Sequence, residues 1–153
     1  MAWAFVAKTE PSLRSRAMRF LARREHSRAE LARKLAPAAA EGEDVDALLD
    51  ELSTKGWLSD ARYAELAVRS KARRFGPLKV AHQLRAKGVG DETIAIAFAT
   101  AGVDGAANLE KVWRTRFSAA PAGDRERGRQ VRFLQGRGFP LEQILRFLKG
   151  MRT

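Results

Sequence analysis

The chain has 153 residues, 45% of them hydrophobic and 31% charged, a composition that favours a folded soluble protein over a disordered one. Its formal net charge of +11 indicates a polyanion or an acidic protein surface as partner. Cysteine is absent, which excludes disulfides, cysteine-based zinc sites and thiol nucleophiles. No apolar run is long enough to span a membrane, and residues 1–8 make a poor signal peptide, so we expect a cytoplasmic protein.

Proline and glycine divide the sequence into nine segments of helical length, and almost nothing is patterned as a strand. Apolar residues recur at helical spacing from about Ser12, which predicts the first helix. The capping box Ser27–Glu30 predicts the start of the second. The third is predicted from about Asp44 to Lys55, after a loop at 37–42.

The next helices are punctuated in the same way. Gly76-Pro77 is expected to end a long fourth helix and to place proline in the first turn of the fifth. Asp91 is predicted to cap the sixth helix. A turn at 102–105 precedes the seventh helix, a small-residue linker at 118–123 precedes the eighth, and Pro140 starts the ninth.

The nine helices fall into three groups of three. Lys34-Leu35, Gln83-Leu84 and Phe133-Leu134 mark the second helices at offsets of 49 and 50 residues. Every third helix carries four apolar residues at i, i+3, i+4 and i+7, all expected inside: Val45/Leu48/Leu49/Leu52, Ile94/Ala97/Phe98/Ala101 and Leu141/Ile144/Leu145/Leu148. The sequence therefore predicts an all-α fold with an N-terminal segment at 1–10 and three-helix repeats at 11–58, 59–105 and 106–153.

Repeats of about 50 residues bury little surface alone, so we expect them to stack into an elongated, curved body. The stretch from Gly56 to Ala64 is the predicted seam between the first two repeats, and Trp57 and Trp113 are expected at or near repeat junctions. A compact globule of this length has a radius of gyration of roughly 15 Å. Small-angle scattering that gives a larger value would support the stacked array.

Charge alternates along the chain. Residues 11–40, 61–90 and 111–153 carry +6, +7 and +8, whereas residues 41–60 and 91–110 carry −6 and −4. Basic rows on a helical repeat suit phosphates or an acidic protein surface, although a single exposed arginine is more often merely solvated. The candidate contact residues are Arg62, Arg69, Arg73, Arg74, Lys79, Arg85, Lys87, Arg125, Arg127, Arg129 and Arg132.

The chemistry of an enzyme is missing from the sequence. Neither a dinucleotide-binding nor a Walker-type glycine loop occurs, and no carboxylate pair stands in an apolar setting. His26 and His82 lack partners at metal-ligand spacing, and we expect both to be surface or capping residues. The sequence therefore predicts a non-enzymatic protein without a cofactor or a metal site.

Several stretches resemble the RecX family of bacterial recombinase regulators, over about residues 12–148. The most specific one runs Gly56-Trp57-Leu58-Ser59-Asp60-Ala61-Arg62-Tyr63-Ala64. Supporting stretches are Arg23-Arg24-Glu25-His26-Ser27 with Glu30-Leu31, Phe75-Gly76-Pro77 through Leu84, Lys87-Gly88-Val89, Phe133-Leu134 and Arg137-Gly138-Phe139.

This resemblance implies three tandem three-helix repeats and a partner, the RecA recombinase filament on single-stranded DNA. It further implies that the protein lies in the filament groove and inhibits ATP hydrolysis, strand exchange and repressor cleavage, with ATP bound by the partner. Direct contact with DNA is compatible with this role. We expect a monomer without a membrane partner.

Two other functions remain open at this point. A general basic helical module could bind nucleic acid through the third helix of each repeat, but the acidic third-helix segments of the first two repeats argue against it. A scaffold for an acidic protein would need no DNA at all.

Overall fold

The computed structural model describes residues 10–151, and within this range the chain forms α-helices, a short 3-10 turn at Ala36–Ala38 and no strand. The predicted all-α class in three groups of three helices is therefore confirmed. Apart from Glu10, the predicted N-terminal segment lies outside the described residues. The helices are α1 Leu13–Arg23, α2 Arg28–Leu35 and α3 Val45–Thr54 (repeat one), α4 Asp60–Lys71, α5 Pro77–Ala86 and α6 Asp91–Ala101 (repeat two), and α7 Gly105–Arg114, α8 Asp124–Gly136 and α9 Leu141–Gly150 (repeat three).

Side-chain caps start α1, α2, α3 and α7, because each satisfies an amide that the first turn leaves without a partner. The caps accept hydrogen bonds of 3.0–3.1 Å and are Ser12, Ser27, Asp44 and Asp104. The prediction that Asp91 caps α6 is wrong. Gly90 occupies the cap position, and the carboxylate of Asp91 pairs instead with Arg85 Nε at 2.6 Å.

The described chain divides into two compact units, one ending at Ser59 and the other beginning at Asp60. The first unit is repeat one, and its core is almost entirely leucine: Leu13, Ala17, Leu31, Leu35, Leu49, Leu52 and Leu58. Leu58 therefore belongs to this core, while the neighbouring Trp57 stays 42% exposed. The Trp57 ring is flanked by Arg14 and Lys55, whose charged groups lie 5.8 and 5.1 Å from the ring centre.

The second unit contains two cores of different character. Repeat two packs small aliphatic side chains, namely Ala64, Val68, Val80, Ala81, Leu84, Val89, Ile94 and Ala97. Repeat three packs larger ones, namely Leu109, Val112, Trp113, Phe117, Leu134, Phe139, Ile144 and Leu148. The prediction that Trp113 lies at a repeat junction is wrong, because its ring contacts are with Phe117 and Phe147 of its own repeat.

The apolar faces are narrower than the sequence pattern indicates. In α9 only Ile144 and Leu148 are fully buried, whereas Leu141 and Leu145 are 46% and 36% exposed. Leu78 of α5 is likewise 58% exposed. Each of these helices packs along one stripe, so residues one helical step to the side of it remain at the surface.

Repeats two and three are joined through their backbones. The amide of Gly76 donates to the carbonyl of Arg137 at 2.7 Å, and the amide of Leu78 donates to the carbonyl of Gly138 at 3.0 Å. Both glycines are needed for this approach, since a Cβ on Gly76 would overlap the backbone of Gly138, and a Cβ on Gly138 would overlap Lys79. The turn between α8 and α9 thereby caps the start of α5, which has no side-chain cap.

Candidate functional site

The predicted residues of α4 form an exposed row. Arg62, Arg69 and Arg73 follow one another at i, i+7 and i+11, so they share one side of the helix and its C-terminal extension. Leu66, between Arg62 and Arg69, is 54% exposed. Arg69 is paired with Glu65 at 2.8 Å, whereas Arg73 and the adjacent Arg74 make no ion pair within residues 10–151. We call Arg62, Arg69, Arg73 and Arg74 the α4 basic row.

The other predicted residues of repeat two are placed differently. Lys79 is half-buried beside Gly138, with its ammonium group 4.5 Å from the centre of the Phe75 ring. Its surroundings give it a packing role at the junction with repeat three. Arg85 is exposed and paired with Asp91, and Lys87 is exposed at the end of α5.

A second exposed row lies on α8. Arg125, Arg129 and Arg132 recur at i, i+4 and i+7 and share one side of the helix, and Arg129 is 3.4 Å from Glu126. Arg127 lies off this side and is half-buried, lining a groove with Arg146 of α9. The structure therefore brings three of the four predicted α8 arginines together.

Two further arginines join this row around aromatic rings, and sequence reasoning missed them. The guanidinium carbons of Arg116 and Arg137 lie 5.5 and 5.2 Å from the centre of the Phe133 ring, and that of Arg129 lies 5.5 Å from Phe117. The two rings meet edge to face at 5.3 Å. Stacking over a ring fixes the plane of a guanidinium group, which leaves its N–H donors in a defined orientation. We call Arg116, Arg125, Arg129, Arg132 and Arg137, with their two rings, the α8 Arg–Phe cluster.

Much of the acidic charge is already neutralised inside its own repeat. In repeat one Asp50 pairs with Arg28 at 2.7 Å, and Glu51 accepts hydrogen bonds from Lys55 and Arg14. The hydrogen bond from Lys55, with a further contribution from Arg14, lowers the pKa of Glu51. Such exposed pairs contribute little to stability, because solvent screens the two charges. The alternation of charge along the sequence is therefore partly local pairing between helices.

His26 is 1% exposed, so the expectation of a surface or capping histidine is wrong for this residue. Its Nδ1–H donates to the carbonyl of Arg24 at 3.0 Å, and its Nε2 accepts a hydrogen bond from Lys34 Nζ at 2.9 Å. Burial lowers the pKa of His26, and the charges of Arg24 and Lys34 lower it further. The imidazole is therefore neutral at neutral pH. His82 is exposed, as expected.

Two general features of the described residues bear on function. Within residues 10–151 no group of three or more His, Asp or Glu side chains could hold a metal ion. None of the helices there has the length and apolar character needed to cross a membrane.

An open groove of about 740 Å³ between α7 and α9 is lined by Leu109, Phe147 and Met151 but by none of the predicted contact residues.

Family models match the chain in three consecutive segments. They describe the first three-helix domain of RecX at residues 14–52, the second at 59–97 and the third at 103–148. The chain is 42% identical to Regulatory protein RecX of Ralstonia nicotianae over 139 residues, which cover 91% of this chain and 87% of that relative. It is also 42% identical to Regulatory protein RecX of Pseudomonas savastanoi pv. phaseolicola over 147 residues, 95% of each chain.

Solved structures agree on the fold. A crystal structure of RecX from Lactobacillus salivarius superposes with a TM-score of 0.75 at 19% identity, covering 91% of this chain and 94% of the other. A second crystal structure, of regulatory protein RecX, gives a TM-score of 0.72 at 21% identity and covers 90% and 71%. At these identities the superpositions establish the fold alone. Taken with the family models and the 42% identical relatives, they show that the chain belongs to the RecX family of regulatory proteins.

Proposed function

We propose that this protein is a non-enzymatic regulator that lies in the groove of the RecA–DNA filament. There it inhibits ATP hydrolysis, strand exchange and repressor cleavage by the recombinase, acting as a monomer in the cytoplasm. Membership of a family of regulatory proteins supports the regulatory role. The structural observation that carries the proposal is the presence of two basic surfaces, the α4 basic row and the α8 Arg–Phe cluster, in one compact unit.

The junction between repeats two and three supports inhibition by simultaneous contact. Two backbone hydrogen bonds, made where the glycine turns approach closely, hold together the repeats that carry the two basic surfaces. A body that contacts two points at a fixed separation binds best to the filament state that presents them at that separation. It therefore shifts the filament population toward that state and opposes the rearrangement of subunits during ATP turnover.

The discriminating experiment adds the purified protein either to preformed RecA filaments on single-stranded DNA or to the bare DNA. Binding is measured across NaCl concentration, and ATP hydrolysis is measured for the filament. We expect tighter binding to filaments and a loss of ATP hydrolysis. Equal binding to filaments and bare DNA would instead favour the general nucleic-acid module, and indifference to both would favour the acidic-protein scaffold.

A charge-matched pair of variants tests the placement of the contact. The variant Arg73→Gln/Arg74→Gln removes two charges from the α4 basic row, and Lys111→Gln/Arg114→Gln removes two from the exposed side of α7. We expect the first variant to inhibit ATP hydrolysis at least about tenfold less potently, since a contact to a charged group contributes about 1.5–3 kcal/mol, and the second to be unchanged. Equal inhibition by the two folded variants would contradict this placement. Lys79 is left intact because its substitution would disturb the junction.

A further inference from the structure

We propose that repeat one carries a separate phosphate-binding pocket, between α1 and the end of α2. The pocket has a volume of about 180 Å³ and is lined by Arg16, Arg19, Phe20, Arg23, Lys34 and Ala38. None of these residues is among the predicted contact residues of repeats two and three. The proposal does not depend on a recombinase partner, and its test contains none.

The lining is cationic without matching carboxylates. Arg16, Arg19 and Arg23 recur at i, i+3 and i+7 and therefore share one side of α1. Arg16 is 3.9 Å from Glu10, which is 91% exposed. Arg19 and Arg23 are exposed and make no ion pair within residues 10–151. Four like charges converge on one small space, an arrangement that an anion stabilises.

The side chain of Lys34 is positioned by two neighbouring side chains, His26 and Phe20. Its ammonium group donates to Nε2 of the buried His26 at 2.9 Å and lies 5.0 Å from the centre of the Phe20 ring. The other imidazole nitrogen donates to a backbone carbonyl, so the tautomer that accepts from Lys34 is fixed. An ammonium group has three donors, and within residues 10–151 one of them is used, which leaves two for a ligand.

The volume of the pocket limits which part of a ligand it can enclose. A volume of about 180 Å³ is small for a ligand pocket. Pockets that enclose a whole small molecule measure roughly 300–1,000 Å³. The pocket can therefore enclose a phosphate group but not a complete nucleotide. The phosphate can belong to a nucleic-acid backbone or to a small phosphate compound.

The first measurement is the salt dependence of binding to a fluorescein-labelled oligonucleotide of 20 thymidines, followed by fluorescence anisotropy. The variant Arg19→Gln/Arg23→Gln loses two pocket charges. The control Arg14→Gln/Lys55→Gln loses two charges of the same repeat that contact Glu51 and Trp57 outside the pocket. For single strands each phosphate contact contributes about 0.7 to the slope of log affinity against log salt. We therefore expect the slope to fall by about 1.4 for the pocket variant and to stay unchanged for the control.

The second measurement uses inorganic pyrophosphate and the arginine Nε–Hε signals in NMR spectra. We expect pyrophosphate to shift the signals of Arg19 and Arg23 but not that of Arg14. A pyrophosphate response with equal salt slopes for the two variants would assign the pocket to small phosphates. A selective fall in slope would assign it to the nucleic-acid backbone. Equal slopes without any pyrophosphate response, with both variants folded by circular dichroism, would overturn the proposal.

Discussion

Repeats two and three have the same order of helices but fill their centres differently. At corresponding points of α4 and α7 stand Val68 and Trp113, and at corresponding points of α5 and α8 stand Val80 and Gln130. Repeat two therefore encloses two valines, whereas repeat three encloses an indole and an amide. Trp113 Nε1 donates to Gln130 Oε1 at 2.8 Å, and Gln130 Nε2 donates to the carbonyl of Ala119 at 3.1 Å. The comparison teaches that a large ring can enter such a core when its polar atom is given a partner.

The largest loss of stability should come from removing the Trp113 ring. We expect Trp113→Ala to lower the free energy of unfolding by about 3–5 kcal/mol, because it leaves a cavity among Phe117, Phe147 and Gln130. Val68→Ala removes two methyl groups and should cost roughly 1.6 kcal/mol or somewhat more. Urea unfolding followed by circular dichroism measures both. Equal losses would show that the two cores are energetically alike despite their composition.

The next largest effect should come from Gly138→Ala. Gly138 has a φ of +95°, so any side chain there is strained, and the new Cβ would also overlap Lys79. Gly102→Ala is the matched control, since Gly102 has a φ of +60° and open space around it. The control should lower the free energy of unfolding by roughly 1–2 kcal/mol. Gly138→Ala should lower it further and should accelerate hydrogen exchange at the Leu78 amide. Equal costs would mean that the repeat junction contributes nothing.

Gln130→Leu tests the polar pair inside repeat three. It makes this core resemble the aliphatic ones but leaves the Trp113 N–H buried without an acceptor, which should cost about 1–3 kcal/mol. Because phenylalanine has no N–H, the same change in a Trp113→Phe background should cost much less. The coupling from this double-mutant cycle, measured by urea unfolding, should reach at least about 0.5 kcal/mol. Zero coupling would show that the hydrogen bond does not matter for stability.

The smallest expected effect on stability comes from repeat one, where the imidazole of His26 is buried. Because the folded-state pKa of His26 lies below 6.5, the unfolded chain binds a proton more readily than the folded chain does. The stability that His26 contributes is therefore fully present above pH 6.5 and declines as the pH falls, by up to about 1.4 kcal/mol per pH unit. Urea unfolding between pH 5.5 and 7.0 should reveal this slope. His26→Gln should flatten it, and a slope unaffected by His26→Gln would contradict the assignment.

Sequence reasoning predicted the helices well because their signals are local. A serine or aspartate before an apolar periodic run, or a proline after a glycine, determines a helix start within one turn, as at Ser12, Ser27, Asp44 and Pro77. The repeat boundaries at 58/59 and 105/106 remain predictions. Burial was predicted less well, because periodicity identifies a helix face but not how much of that face a neighbour covers, as Leu141 and Leu145 demonstrate.

The candidate site was predictable only as a set of charges. The basic rows could be predicted from the sequence, because spacing along one helix determines which arginines share a side. It could not separate Lys79, which packs at the repeat junction, from the exposed Arg73 and Arg74, because the contact with Gly138 comes from a distant turn. Arg116 was missed for the same reason, since the Phe133 ring that it contacts lies in the next helix. Arg137 follows Phe133 by four residues, so the i, i+4 spacing could have indicated this second contact. Whether these residues contact the filament remains a prediction.

The carbonyls that cap α5 also set an order of events during synthesis of the chain. The amides of Gly76 and Leu78 leave the ribosome long before their acceptors at Arg137 and Gly138, which follow about 60 residues later. At roughly 5–20 residues per second, the interval lasts about 3–12 seconds. Throughout that time the first turn of α5 has only water to accept its hydrogen bonds. Repeat two is therefore completed only when the last repeat has been made, so the two mature together even though they are translated in sequence.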